Sequence, residues 1–417
     1  MTKSGWAASL GPGLLFAATA VGVSHLVQAT RAGAEAGLGL VGWILLALIV
    51  KYPAFRFGAH RPAVTGTSLL QGYRELGRWA LVLYAGVTLA TMFTVQAAVT
   101  LVTAGLVLAA FDVRASPGLV GTFVLVAATL VLVAGKYQGL RRITGVLVAA
   151  LSLTTLIVAA AVLPKVDLST LGPGVPSPVP LAFLVALVGW MPSGPDVSVW
   201  HSLWVLEAGR SSGAALEPRQ VLRDFDVGYA GTALLALSFV VLGAGLLYGR
   251  PPLPGSAGGF SRGLISVYAD VMGAGFRPVI ALCAVAAMAS TTLAVLDGFP
   301  RALSRLWLRF GSDENELEET TGRAERAYWF ALTALVVGSA IILNLFFSSL
   351  RGLVDLATTL SFLTAPVLCF LNHRAVFSPS LPPEKQPSSG LRWASLASVA
   401  LQIMFALVFL VVSRGTS

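Results

Sequence analysis

The chain has 417 residues, of which 56% are hydrophobic and only 11% are charged, and its mean hydropathy is +0.81. That composition argues against a soluble globular domain and makes the lipid bilayer the expected solvent and partner. The formal net charge of +9 is read as a surface facing anionic lipid, and no nucleic-acid partner is expected.

Apolar runs of about 20 residues, enough to cross a hydrocarbon core of about 30 Å as a helix, recur from end to end. Eleven spans are predicted, at 11–34, 37–59, 79–111, 117–135, 140–163, 179–207, 225–248, 276–299, 325–347, 350–373 and 392–413. The first run is longer than a signal-peptide core and has no small-residue cleavage site before its polar interruption. It is therefore kept as mature structure behind the basic flank Lys3.

In the first span, Ala20-Val21-Gly22-Val23-Ser24-His25 brings a glycine, a hydroxyl and an imidazole to mid-membrane depth. His25 reads as a ligand, a proton acceptor or a buried histidine bonded to a freed carbonyl. Arg31 follows and is expected either to snorkel outward or to neutralise Glu35 at i+4. The third span, Trp79 to Phe111, has no Asp, Glu, His, Lys or Arg and offers Thr91, Thr94, Gln96 and Thr100. A proton relay along it is not expected, because hydroxyls and amides do not titrate in the needed range.

The sixth span is interrupted by Gly189-Trp190-Met191-Pro192-Ser193-Gly194-Pro195-Asp196. Asp196 fits either a capping box with Ser193 as N-cap or a carboxylate placed to meet a cation. Trp190 is a candidate gate, and His201 lines the cytoplasmic exit or pairs with a carboxylate. Further on, 249–274 reads as an external loop ending in a short surface helix, and 311–325 as an acidic solvated loop. Pro379, Pro382, Pro383 and Pro387 make 378–389 a linker. Asp297 and Asp355 are expected to cap helices or to pair with Arg301 and Arg351. Cys283 and Cys369 read as small core residues.

Interruptions of this kind are costly in lipid and are tolerated where they line a cavity. Their separation by five spans is what an inverted repeat produces, with half-helix ends and freed carbonyls meeting at the midplane. The fold expected is all-α and LeuT-like: one transmembrane domain with repeats at 11–163 and 179–373 and an extra helix at 392–413.

Several stretches carry a family likeness. Gly11-Pro12 with Ala32-Gly33-Ala34 and Gly37, then Met191-Pro192 with His201-Ser202, Ala289-Ser290-Thr291-Thr292, and Leu360-Ser361 with Pro366 resemble the Nramp family of divalent metal transporters. The likeness covers nearly the whole chain. In that family the first break reads Asp-Pro-Gly-Asn, and its Asp and Asn bind metal with the Met and a backbone carbonyl of the sixth span. Here Gly22, Val23, Ser24 and His25 stand at those four positions, Met191 is kept, and Val188 falls at the carbonyl donor. Ser193 replaces the family's His after Met-Pro, and Thr358 stands where the tenth span supplies a polar residue. The resemblance implies a substrate site drawn from Gly22, Ser24, His25, Val188, Met191, Ser193, Asp196 and Thr358, with Gln96 and His201 along the pathway. His25, Met191 and Asp196 would be the metal ligands, suiting Mn²⁺, Fe²⁺, Zn²⁺ or Ni²⁺.

The expected function is a secondary-type transporter or facilitator for a divalent metal, Mn, Fe or similar, carried as substrate with no resident cofactor. Proton coupling is absent, or runs through His25 or another acid. A small organic solute, or a pseudo-transporter without flux, is the competing reading. No enzymatic role is expected, since the four histidines form no His-Glu-x-x-His helix.

Assigning loops alternately to two sides places twenty Lys and Arg with the N-terminus and seven opposite. The asymmetry predicts an N-terminus in the cytoplasm and a C-terminus outside, and a bacterial inner membrane is the default location, no organelle signal being visible, with the oligomeric state left open between a monomer and larger assemblies. An alkaline phosphatase fusion after Ser413 should be active, and one within the 136–142 loop silent. The reverse pattern would overturn this orientation.

Overall fold

The computed structural model describes residues 11–134, 137–172, 179–212, 217–311, 322–346 and 349–415. Lys3, Lys136 and the acidic stretch 312–321 lie outside the described residues. The helices in chain order are α1 (Gly11–Ala20), a π-helical segment Ser24–Ala29 running into α2 (Thr30–Ala36), α3 (Val41–Thr65), α4 (Leu69–Leu76), α5 (Arg78–Ala110), α6 (Pro117–Val133) and α7 (Tyr137–Val162). They continue with α8 (Leu181–Trp190), α9 (Val197–Ser212), α10 (Pro218–Leu246), α11 (Ala257–Met272), α12 (Arg277–Gly311), α13 (Gly322–Ile341), α14 (Leu350–Val376) and α15 (Ser389–Gly415).

Among the described residues, eight helices are long and apolar enough to cross a membrane, and α1 with the segment Ser24–Ala36, bent by 47°, acts as a ninth. Shorter apolar helices, α6 and α8, occupy the fourth span and the first half of the sixth. Each of the eleven predicted runs thus coincides with a helix or a helix pair. The chain is a multi-pass membrane protein of LeuT-like fold, with its first and sixth spans broken.

The breaks have local causes. At the first, the Gly22 N–H turns back to the Ala20 carbonyl (2.8 Å) instead of continuing the α-helical ladder, and Leu26 N–H picks up the Gly22 carbonyl (2.9 Å). At the sixth, Pro192 and Pro195 lack the N–H that a helix needs. Seven-residue α2 and ten-residue α1 would be marginal alone, and packing holds them. Both lie along α10, and α8 lies along α14.

Small residues set those distances. A Cβ at Gly33 would strike the Val240 carbonyl oxygen, and one at Gly243 the Thr30 carbonyl oxygen. Near the start of α1, the Gly13 N–H donates to Asp224 Oδ2 at 2.6 Å. Outside the spans, α11 is not a surface helix as expected. Ser256 caps it, and its Phe260, Leu264, Ile265 and Tyr268 are buried against α5 and neighbouring helices. The linker at 378–389 forms only the short turn Pro383–Lys385.

The α2–α10 contact has no room for a side chain at Gly33. G33V should lower the Tm in detergent, following a cost of about 1–3 kcal/mol for overpacking, whereas G42V at an open position should not. Equal Tm values for the two would refute the close-contact argument.

Candidate substrate site at the two helix breaks

The breaks touch. Ser24 Oγ, at the start of the π-helical segment, lies 3.0 Å from the Pro192 carbonyl in the break between α8 and α9. The same hydroxyl lies 2.9 Å from the Ala20 carbonyl and 2.8 Å from His25 Nδ1. His25 Nε2–H donates to the Thr232 carbonyl of α10 at 3.0 Å. Neither ring nitrogen is therefore available to a metal in this conformation, and the bonded buried histidine is the arrangement seen.

A cavity of about 40 Å³ sits against this junction, room for about three waters. Its polar lining comes from Thr19, Ser24, Ser193, Asp196, Thr291 and Ser361, and its walls from Trp190, Trp200, Phe299 and valines of α5 and α12. Asp196 is buried, and its Oδ1 has no hydrogen-bond partner among the described residues. The lining residue Trp200 likewise leaves its Nε1 unpartnered. An isolated carboxylate is expensive in a medium of low dielectric, so the site calls for a positively charged or proton-donating occupant.

The capping box expected at Ser193 is not formed. α9 begins at Val197, and its first N–H groups are taken by the carbonyls of Gly194 (3.2 Å) and Pro195 (3.1 Å). Asp196 itself stands immediately before α9, its carbonyl accepting from the N–H groups of Val199 (2.9 Å) and Trp200 (3.2 Å), while its Oδ1 stays unpartnered.

Of the other sequence candidates, several sit near the junction but do not line the cavity. Gly22 packs on Thr291, whose methyl would lie 2.9 Å from a Cβ at that position. A first-span Asp in the Nramp position therefore has no space here unless Thr291 moves. Met191 is fully buried, preceding a cis peptide to Pro192. Thr358 bonds back to the Val354 (2.8 Å) and Asp355 (3.1 Å) carbonyls of its own helix, and Ser361, one turn on, supplies the hydroxyl of the tenth span. Ser361 also accepts from Trp190 Nε1 at 2.7 Å. Gln96 donates to Thr100 at 3.0 Å and is wholly buried, while Val95 and Val99 reach the cavity from α5. His201 packs between Phe16 and Phe225, ring centroids 5.7 and 5.5 Å away.

Two residues departed from expectation in their partners. Asp355 pairs with Arg31 at 2.9 Å, not with Arg351, which donates to the Leu253 carbonyl. Lys51, counted among the cytoplasmic basic residues, is buried inside α3 and donates to the carbonyls of Val188 (2.6 Å) and Gly189 (2.7 Å). Val188 was expected to offer that carbonyl to substrate. Asp297 pairs with Arg301 (2.9 and 3.0 Å), and Arg31 reaches Glu35 (3.4 Å), as their spacing suggested.

The junction is shut on two sides. Arg31 of α2 joins Asp355 of α14, bonds Gln28 at 3.1 Å and lies over the Phe183 ring of α8 at 4.2 Å. At the α1 and α9 end, Phe16, Phe55, His201, Phe225 and Tyr229 form a buried aromatic plug.

Comparison with known proteins follows the same lines. The uncharacterized protein PM0681 of Pasteurella multocida (strain Pm70) is 32% identical over 424 residues, covering 99% of this chain and 95% of that protein. The chain belongs to one family with PM0681. No family model matches it. Among solved structures, a mutant of the Eremococcus coleocola manganese transporter superposes with a TM-score of 0.71 at 16% identity, over 98% of this chain and 87% of that one. MhsT in complex with L-phenylalanine superposes with a TM-score of 0.58 at 14% identity, over 94% and 98%. At such identity these two likenesses establish the fold that the PM0681 family shares with them.

Removing the Arg31–Asp355 bridge should loosen one closure. In a variant with Cys283 and Cys369 replaced and a single cysteine at position 361, R31A should raise the maleimide labelling rate at least about threefold, the scale of a small surface-pair energy. An unchanged rate would show that the bridge does not restrict access.

Proposed function

We propose that the chain is a secondary-type transporter that carries a cation by alternating access around the broken first and sixth spans. One observation supports this above the rest: the buried Asp196 carboxylate, with an unpartnered oxygen, lies in a cavity where the two breaks meet. In this reading the cargo enters past Arg31 and Asp355, exchanges its water for Asp196 and the hydroxyls of Ser24, Ser193, Thr291 and Ser361, and leaves past the aromatic plug.

The likeness to Nramp proteins in motifs and fold favours a divergent Nramp-related member and a divalent metal such as manganese or iron as cargo. A second reading, an organic cation, is favoured by the cavity itself. Among the described residues no three His, Cys, Asp or Glu side chains group to hold a metal. The walls are aromatic, and Trp200 Nε1 needs an acceptor that a bare ion lacks. A hydrated metal or an amine carrying an oxygen meets both demands.

Proton coupling, if present, has two titratable groups at the junction, Asp196 and His25, and the hydrogen bonds around His25 would carry the signal. Ser24 has a single hydroxyl proton and three acceptors around it. With His25 neutral, that proton goes to Nδ1. With His25 protonated, Nδ1–H donates to Ser24, whose proton is released to the Pro192 carbonyl and ties the breaks together. The orientation proposed is N-terminus in the cytoplasm and C-terminus outside in a bacterial inner membrane, as a monomer.

Proteoliposomes loaded with a metal-sensitive dye should accumulate Mn²⁺, or with the second reading a radiolabelled primary amine, above empty-liposome background. D196N should reduce uptake at least about tenfold, equal to about 1.4 kcal/mol of lost binding, while retaining its elution profile. Uptake by D196N at the wild-type rate would remove the proposal's foundation, and no flux of either probe would favour a pseudo-transporter.

A further inference from the structure

The break of the sixth span has two chemically different sides. On one, Asp196 borders the cavity. On the other, α3 sends Lys51 to the last turn of α8, where Nζ donates to two consecutive carbonyls, Val188 at 2.6 Å and Gly189 at 2.7 Å. The side chain is 2% exposed. Among the described residues no carboxylate lies within ion-pair distance of it. The pocket it borders is walled by Trp43, Val50, Phe362 and Phe405, with Gln402 its other polar residue, and the buried Cys369 thiol, bonded to Gln402, is also nearby.

An ammonium buried without a counter-ion is strongly disfavoured unless something negative faces it. What faces it here is the carboxyl end of a half-helix, where free carbonyls and the helix dipole both present negative potential. That is the environment in which broken helices coordinate inorganic cations. An ammonium is close to K⁺ in size and charge, and it bonds carbonyl oxygens at similar distances.

We propose that Lys51 is a resident cation of the transport core: its ammonium occupies the carbonyls of Val188 and Gly189 in place of an exchangeable inorganic ion. Two consequences follow. The Val188 carbonyl is withdrawn from the cargo, so cargo selection falls to Asp196 and the hydroxyls. A co-transported alkali ion is not needed to hold the break together. The first consequence rests on the cargo reading above, whereas the substitution of ammonium for ion is tested without any transport.

The test is thermal unfolding of detergent-purified wild type, K51A and K51M in NaCl, KCl, MgCl₂ or MnCl₂, with choline chloride as the ionic-strength control. Wild type should show one Tm in all salts. K51A, which loses both charge and stem, should unfold at lower temperature in choline and be stabilised by a small inorganic cation, with a saturable rise of about 2 °C or more. K51M keeps the stem, which blocks re-entry of the ion, and should stay low in every salt. If Lys51 merely caps the helix end, K51A and K51M will be equally destabilised whatever the salt, and the proposal is overturned. Failure to isolate K51A in any salt would overturn it too, since no ion would then stand in for the ammonium. Uptake by D196N at the wild-type rate with this ion pattern intact would place the fault in the proposed cargo reading and not here.

Discussion

A backbone that leaves its helix inside a bilayer must find partners within the protein, because each unsatisfied group costs several kcal/mol and water is not at hand. This chain meets that demand with side chains drawn across the repeat boundary. Break six is held by Lys51 from the second span through the Val188 and Gly189 carbonyls. Break one is held to the seventh span through the His25 bond to Thr232. The second helix of each repeat thus braces the broken helix of the other, and Ser24 Oγ lies 3.0 Å from the Pro192 carbonyl where the two breaks meet. A brace of this kind orders the breaks without a bound ion, which leaves the cavity beside them free for a different occupant.

The cavity shows what remains once the braces are in place. Most freed groups are paired, and Asp196 Oδ1 with Trp200 Nε1 are the polar atoms of the lining left over. One accepts and the other donates, so the pair selects an occupant by hydrogen-bond complement as well as by charge. With about 40 Å³ available, a large solute does not fit this closed conformation. An ion stripped of most of its water or a small amine does.

The fold was legible because it rests on long-range statistics: eleven apolar runs, two of them interrupted, five spans apart. Glycine and proline at the breaks announced themselves through local chemistry. The site was legible in part. Ser24, Ser193 and Asp196 reach the cavity, whereas His25, Met191, Gln96, His201 and Thr358 are turned into packing or into bonds of their own. Thr358 was named from the family likeness, and the likeness does not show that Ser361, one turn on along the same helix, is the hydroxyl that reaches the cavity. Lys51 falls inside the second predicted span, 37–59, and only the carbonyls of a helix distant in sequence show what its ammonium meets.

Gly22 explains why likeness in fold does not extend to the ligand set. A carboxylate there would meet the Thr291 methyl, so the position is closed by a residue from the eighth span and not merely emptied. The acid instead sits on the sixth span, in a break too long to form a capping box. The buried carboxylate of the sixth-span break borders a cavity lined by hydroxyls and indoles. Hydroxyls and indoles bind a partly hydrated or organic cation more readily than a naked divalent ion. With Thr291 closing on Gly22, Asp196 bordering the cavity and Lys51 holding the Val188 carbonyl, the lining differs from the Nramp ligand pattern at each of these points.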